Sequence, residues 1–208
     1  ERNEKEQKLK KLGSQEEIYR KELLVATKKD EELKQAISRA IKREIEMLAE
    51  KNKSKTSNAT VFKKAPEDIV LEENFVANKG KLPWPVDQGQ VVAEFGQQAH
   101  PFLRGVIINK NGITFSTTEN NKVRAVFDGV VSKIIILPGQ GILVMIRHGD
   151  YITVYTNLRE TFVRDGDVVK TKEEIGIILT DKGKTETEFQ LWKGIEISDP
   201  TRWLYKVK

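Results

Sequence analysis

Between residues 91 and 192 the chain passes through one short β-type run after another, each closed by a turn signal. The runs are Val91–Phe95, Gly105–Asn109, Gly112–Ser116, Lys122–Phe127, Gly129–Leu137, Gly141–His148, Tyr151–Leu158, Glu174–Leu179 and Thr187–Trp192. Between them stand Asn111-Gly112, Asp128-Gly129, Pro138-Gly139-Gln140-Gly141, Gly149-Asp150 and Asp165-Gly166. Gly, Asn and Asp supply the backbone conformations that tight turns require. Short strands at this spacing predict a mainly β domain, an antiparallel sandwich or barrel.

Residues 1–50 have a different chemistry. They are rich in Lys, Glu, Gln, Leu and Ala and contain no Pro. Leu33, Ile37, Ile41, Ile45 and Leu48 recur every three or four residues and draw one apolar stripe along a helix. Gly13-Ser14 interrupts the run, and Ser14 with Glu17 fits a capping box, so a new helix is expected there. So narrow a stripe on so charged a helix needs a partner helix, either upstream of Glu1 or residues 1–13 folded back. The arm reads as a coiled coil; the sharper alternative has it dock onto the downstream domain. "KNKSKTSNAT" (51–60) is polar, lacks periodicity and reads as a linker. A short helix is expected to start near Pro66, where acids follow. "NKGKLPWPV" (78–86) predicts an extended lead-in, with Trp84 packed on the domain edge. The expected division is a helical arm over 1–50, a linker with a short helix over 51–80, and a β domain over 81–208.

Charge supports that division. Residues 1–57 carry net +4 of the chain's +5. Both signs are mixed along the arm, and Tyr19 is its only aromatic, which excludes a basic stacking surface for nucleic acid. There is no Cys, hence no disulfide, thiolate metal site or Cys nucleophile. No stretch approaches a transmembrane span. The chain opens on Glu1 without an initiator Met or signal peptide and is expected to be a piece of something longer.

Chemistry is sparse. In "TETEFQLWKG" (185–194) strict alternation puts Glu186, Glu188 and Gln190 on one strand face and Thr187, Phe189 and Leu191 on the other. The paired carboxylates invite a metal or acid–base role. Zinc hydrolysis needs three protein ligands and an open position. His100 and His148 are the only histidines, and both sit beside turns, where hydrogen bonding explains them. There is no Gly-x-Ser-x-Gly elbow and no phosphate-cradling Gly loop. Asp128, Asp150, Asp165 and Asp167 lie at turns, where Asp is expected for local hydrogen bonds.

Five stretches carry a resemblance: "VRAVFDGVV" (123–131), "GILVMIRHGDYITVYTNL" (141–158), "VRDGDVVKTKEEIG" (163–176), "TEFQLWKG" (187–194) and "DPTRWL" (199–204). In order and spacing they resemble the LytM (lysostaphin-type) zinc endopeptidase domain, over about Lys81 to Leu204. The resemblance implies a barrel-sandwich hybrid fold. It also implies where zinc would sit and which His, after Thr-x-Tyr, would be catalytic, and every metal or catalytic position is changed. The His-x-Gly-x-Asp element reads "KNGIT", with Lys110 and Thr114 at the ligand positions. The His after Thr-x-Tyr is Asn157. The His-x-His is Glu186-Thr187-Glu188. His148 matches a turn position that is not a ligand. An ammonium at a ligand position repels Zn²⁺. Lys110 is expected instead to pair with Glu186 or Glu188.

"NKGKLPWPV", the degenerate domain and the charged arm together look like the EnvC-type murein hydrolase activators. That resemblance implies a non-catalytic protein of the bacterial envelope, on the periplasmic side, acting in cell division and daughter-cell separation. Its partners would be a cell-wall amidase, with peptidoglycan nearby, and a division transporter of the FtsEX type reached through the coiled coil. No cofactor and no metal are expected. The binding groove would be lined by Lys110, Asn111, Thr114, Tyr155, Asn157, Glu186, Glu188 and Trp192. A helix, residues 30–50 or 66–76, would restrain it. Trp192→Ala or Lys110→Glu would then abolish amidase stimulation with little change in stability. The alternative is a zinc endopeptidase using His148 or His100 with Glu186 and Glu188; a third reading is a passive peptidoglycan-binding module.

Overall fold

The computed structural model describes residues 2–55, 66–100 and 102–206. Two helices precede the strands, α1 (Arg2–Lys55) and α2 (Pro66–Ala77). The strands are β1 (Gln90–Ala93), β2 (Gly96–Ala99), β3 (Ile107–Lys110), β4 (Ile113–Thr117), β5 (Lys122–Arg124), β6 (Gly129–Leu137), β7 (Gly141–His148), β8 (Tyr151–Thr161), β9 (Val168–Val169), β10 (Glu174–Ile178), β11 (Thr180–Asp181), β12 (Lys184–Lys193) and β13 (Glu196–Ser198). The main sheet is antiparallel, ordered β1-β4-β12-β8-β7-β6-β9, with β10 joining β8 to β5 and with β11 and β13 on β12. β2 and β3 form a separate two-stranded ribbon; β3 falls in the expected 105–109 run, but β2 was not flagged, because "GQQA" has no apolar face.

The helical arm departs from expectation in two ways. It runs unbroken through Gly13-Ser14, and it continues past residue 50 to Lys55. A Gly costs about 1 kcal/mol inside a helix, too little to stop one this long. Residues 56–60 of the expected linker lie outside the described residues. The apolar stripe also does not await a partner helix. Leu33, Ile37 and Ile41 pack on the outer face of the sheet against Leu143, Met145, Ile152, Val154 and Trp192. Ile37 and Ile41 are fully buried, each worth roughly 2 kcal/mol of apolar burial. Ile45 leaves the seam and is exposed.

The other face of the sheet holds the main core, with Phe115, Val144, Ile146, Tyr155, Phe189 and Leu191. α2 closes one end. Its Phe75 is fully buried and stacks on His148 at 4.6 Å and on Trp203 at 4.9 Å. The β7–β8 turn lies close under α2: a Cβ on Gly149, whose φ is +73°, would meet the Glu72 side chain at 2.5 Å. The lead-in strand is bound to the C-terminus, as Trp84 Nε1 donates to Tyr205 O at 2.9 Å. Its ring lies 5.2 Å from that of Phe115.

His148 is a core residue. Nδ1 donates to Asp128 O at 2.6 Å. Nε2 accepts from Thr153 Oγ1 at 2.9 Å, and the Tyr155 hydroxyl lies 3.2 Å from Thr153 Oγ1. Burial pushes its pKa from 6.5 down to about 4. Between those values the unfolded chain takes up a proton that the folded chain refuses. Stability should therefore fall as pH drops from 6.5 towards 4, by up to on the order of 3 kcal/mol. Denaturant unfolding across that range tests this, and His148→Gln should flatten the slope.

Candidate functional site

The site forms where β3, β4, β8 and β12 meet beneath α1. β4 pairs with β12 so that Thr114 lies opposite Glu188 and Ser116 opposite Glu186. The turn into β4 needs glycine at Gly112, because a Cβ there would lie 2.3 Å from Phe189 O. That close approach carries Lys110 from the end of β3 to the rim. β8 reaches the site at an irregularity in its pairing with β7, where Asn157 takes φ +59°, a conformation Asn tolerates better than most residues. Its side-chain amide donates to Glu186 O at 2.5 Å and to Leu179 O at 3.4 Å, so it ties β8 to β12.

Lys110, Thr114, Asn157, Glu186 and Glu188 line one groove of about 860 Å³. One wall of that groove is α1, which contributes Ala26, Lys29, Asp30 and Leu33. Asn111 lies on an adjoining cleft with Tyr19 and Phe102, whose rings stack at 5.0 Å. Lys29 Nζ donates to Gly139 O at 3.3 Å in the β6–β7 turn. The helix is therefore held between the β2–β3 ribbon and the β6–β7 turn.

Several expected assignments change. Lys110 Nζ pairs with Asp30 Oδ2 of α1 at 3.4 Å; among the described residues no ion pair joins it to Glu186 or Glu188. Tyr155 does not line the groove. It is fully buried, and its hydroxyl accepts from Val126 N at 2.9 Å. Trp192 shares the strand face of the two glutamates but is 1% exposed, covered by α1. It reaches the groove through a polar relay: Trp192 Nε1 donates to Gln190 Oε1 at 3.0 Å, and Gln190 Nε2 to Glu188 Oε1 at 2.6 Å. Burial raises the Glu188 pKa, opposed by the Gln190 hydrogen bond and by Lys110 and reinforced by Asp30.

Neither histidine joins Glu186 and Glu188. His148 is spent in the core. His100 Nδ1 accepts from Phe102 N at 3.1 Å and Leu103 N at 3.0 Å, bracing the β2–β3 connection. Asp30 and Leu33 were missed as groove residues, although the stripe from Leu33 to Ile41 marked the helix face that carries them.

The positions that match the metal and catalytic residues of LytM-type peptidases carry an ammonium, a hydroxyl, an amide and two carboxylates. The ammonium is engaged by Asp30 and the amide by Glu186 O. This donor set lacks the imidazoles of a zinc centre and places a cation within it, so it does not fit the ion.

The chain is similar to an uncharacterized metalloprotease of Haemophilus influenzae, 34% identical over 102 residues, which cover 48% of this chain and 22% of that protein. It is also similar to the murein hydrolase activator EnvC of Escherichia coli, 24% identical over 168 residues, covering 78% of this chain and 39% of EnvC. It thus spans well under half the length of either relative. Among solved structures, a zinc containing peptidase from Vibrio cholerae aligns with a TM-score of 0.51 at 24% identity, over 59% of this chain and 40% of that one. Helicobacter pylori Csd3 aligns with a TM-score of 0.51 at 22% identity, over 61% and 35%. These two likenesses concern the fold alone. Residues 108–200, which run from β3 through β13, match peptidase family M23.

Proposed function

We propose that this chain is a non-catalytic activator of a cell-wall amidase, acting in the periplasm of a bacterial envelope during daughter-cell separation. Its M23 groove would hold a partner protein in place of a metal and substrate. The observation that carries this reading is Lys110: an ammonium stands at the first ligand position and is ion-paired to Asp30. The similarity to EnvC, which extends into the helical region, supports it. α1 lies along the groove as a cover, so the partner would bind once that helix lifts. The upstream part of α1 would continue as a coiled coil towards a division transporter of the FtsEX type, with peptidoglycan close by.

Metal analysis of the purified chain tests the reading. Zinc far below one ion per chain is the expected result. Stoichiometric zinc with chelator-sensitive cleavage of peptidoglycan peptides would replace it with a peptidase using an unfamiliar ligand set.

A further inference from the structure

The docked part of α1 meets the same charge arrangement at both ends. At one end Lys110 Nζ lies 3.4 Å from Asp30 Oδ2, and Glu188 feels both groups from the groove floor. At the other, Arg147 of β7 places Nε 3.2 Å from Glu44 Oε1 and Nη1 2.6 Å from Asp68 Oδ1 of α2. Each end gathers two carboxylates around one cation. In each, one carboxylate belongs to α1 and the other stays with the domain. At the Arg147 end docking therefore carries excess negative charge into partly buried surroundings, where it is poorly solvated.

Glu44 is the least satisfied of these groups. Its side chain is only 15% exposed, as is that of Arg147. Oε2 is buried with no well-formed hydrogen bond, and besides Arg147 the buried Ser132 hydroxyl faces Glu44 from β6. A proton on Glu44 would cancel the local excess and add a donor beside that hydroxyl. Burial already holds this carboxyl above its usual range, with the Ser132 hydroxyl and Arg147 pulling the other way and Asp68 adding to the rise.

We infer that docking of α1 takes up a proton at Glu44, so that the helix covers the groove more firmly in acid and loosens as pH rises. Once α1 lifts, Glu44 is solvated and its proton affinity returns to that of an ordinary carboxyl. The docked state is the better proton binder, so falling pH favours it. The charges facing Glu44 are Arg147 from β7 and Asp68 from α2. At the far end, Lys29, Arg159, Asp181, Lys184 and Glu186 also line the groove. His148 acts in the opposite sense between pH 6.5 and about 4, but on the fold as a whole. The inference rests on α1 being the groove's cover.

Amide hydrogen exchange of the full chain, without amidase, tests it at about pH 5.5 and about pH 8. Rates are corrected for intrinsic exchange, and β7–β8 core amides serve as the reference. The opening constant over residues 33–41 is expected to be larger at the higher pH. Glu44→Gln should hold the low value at both. Asp68→Asn leaves Glu44 alone with Arg147 and should shrink the response. Protection that is unchanged or weaker in acid overturns the inference, as does a wild-type pH response in both variants. No amidase enters the measurement, so failure here leaves the activator reading standing, and loss of that reading leaves this result standing.

Discussion

Replacing Ile37 and Ile41 together by Asp is expected to raise amidase stimulation well above that of the unaltered chain. Both side chains are fully buried between α1 and the sheet. The change removes roughly 2 kcal/mol of apolar burial at each position. It also sets two carboxylates against Leu143, Met145 and Ile152 with no cation provided for them. A combined cost of 4 kcal/mol or more, on the order of a thousandfold in the docking equilibrium, favours the released helix. Trp192 is 1% exposed beneath α1, so its emission should move to the red in the same variant, which reports release independently of activity. A red shift with unchanged stimulation would show that the surface under α1 is not the one that acts on the amidase.

Trp192→Ala is expected to cost about 3–5 kcal/mol of stability, the usual range for truncating a buried Trp. The ring fills the space between β12 and α1. Its Nε1 is the donor to Gln190 Oε1, and Gln190 in turn holds Glu188. Truncation thus opens a cavity and also frees the relay that positions a groove carboxylate. This reverses the expectation from the sequence that stability would change little. Denaturant midpoints measure it; a loss below about 1 kcal/mol would place the ring outside the core.

That reversal shows what was legible in the sequence. Alternation over residues 185–192 assigned Glu186, Glu188 and Trp192 to one face, and β12 has them there. It did not say which of them lies under the helix. The missing signal was present in β7 and β8: "ILVMI" and "YITVY" are apolar at both parities, which means both faces of the sheet are covered. Together with the stripe from Leu33 to Ile41, that pattern demands a helix on the outer face.

Lys110, Thr114, Glu186 and Glu188 come together because Gly112, Phe189 and the β4–β12 register fix where the neighbouring positions point. Their partners were less so. Lys110 meets Asp30, eighty residues earlier in the chain, and no local rule pairs them. Tyr155 was misplaced because its parity on β8 turns it towards Val126, into the core. The position of Asn157 at a strand irregularity depends on pairing with β7, and the sequence of β8 alone does not reveal it.

Dye release from labelled sacculi tests the account most directly, with the chain alone, the amidase alone, and the amidase with either the unaltered chain or Ile37→Asp/Ile41→Asp. The account predicts no release by the chain alone, release by the amidase that rises when the chain is added, and a further rise with the released-helix variant. Chelator-sensitive release by the chain alone, or no gain over the amidase with either form, would contradict it.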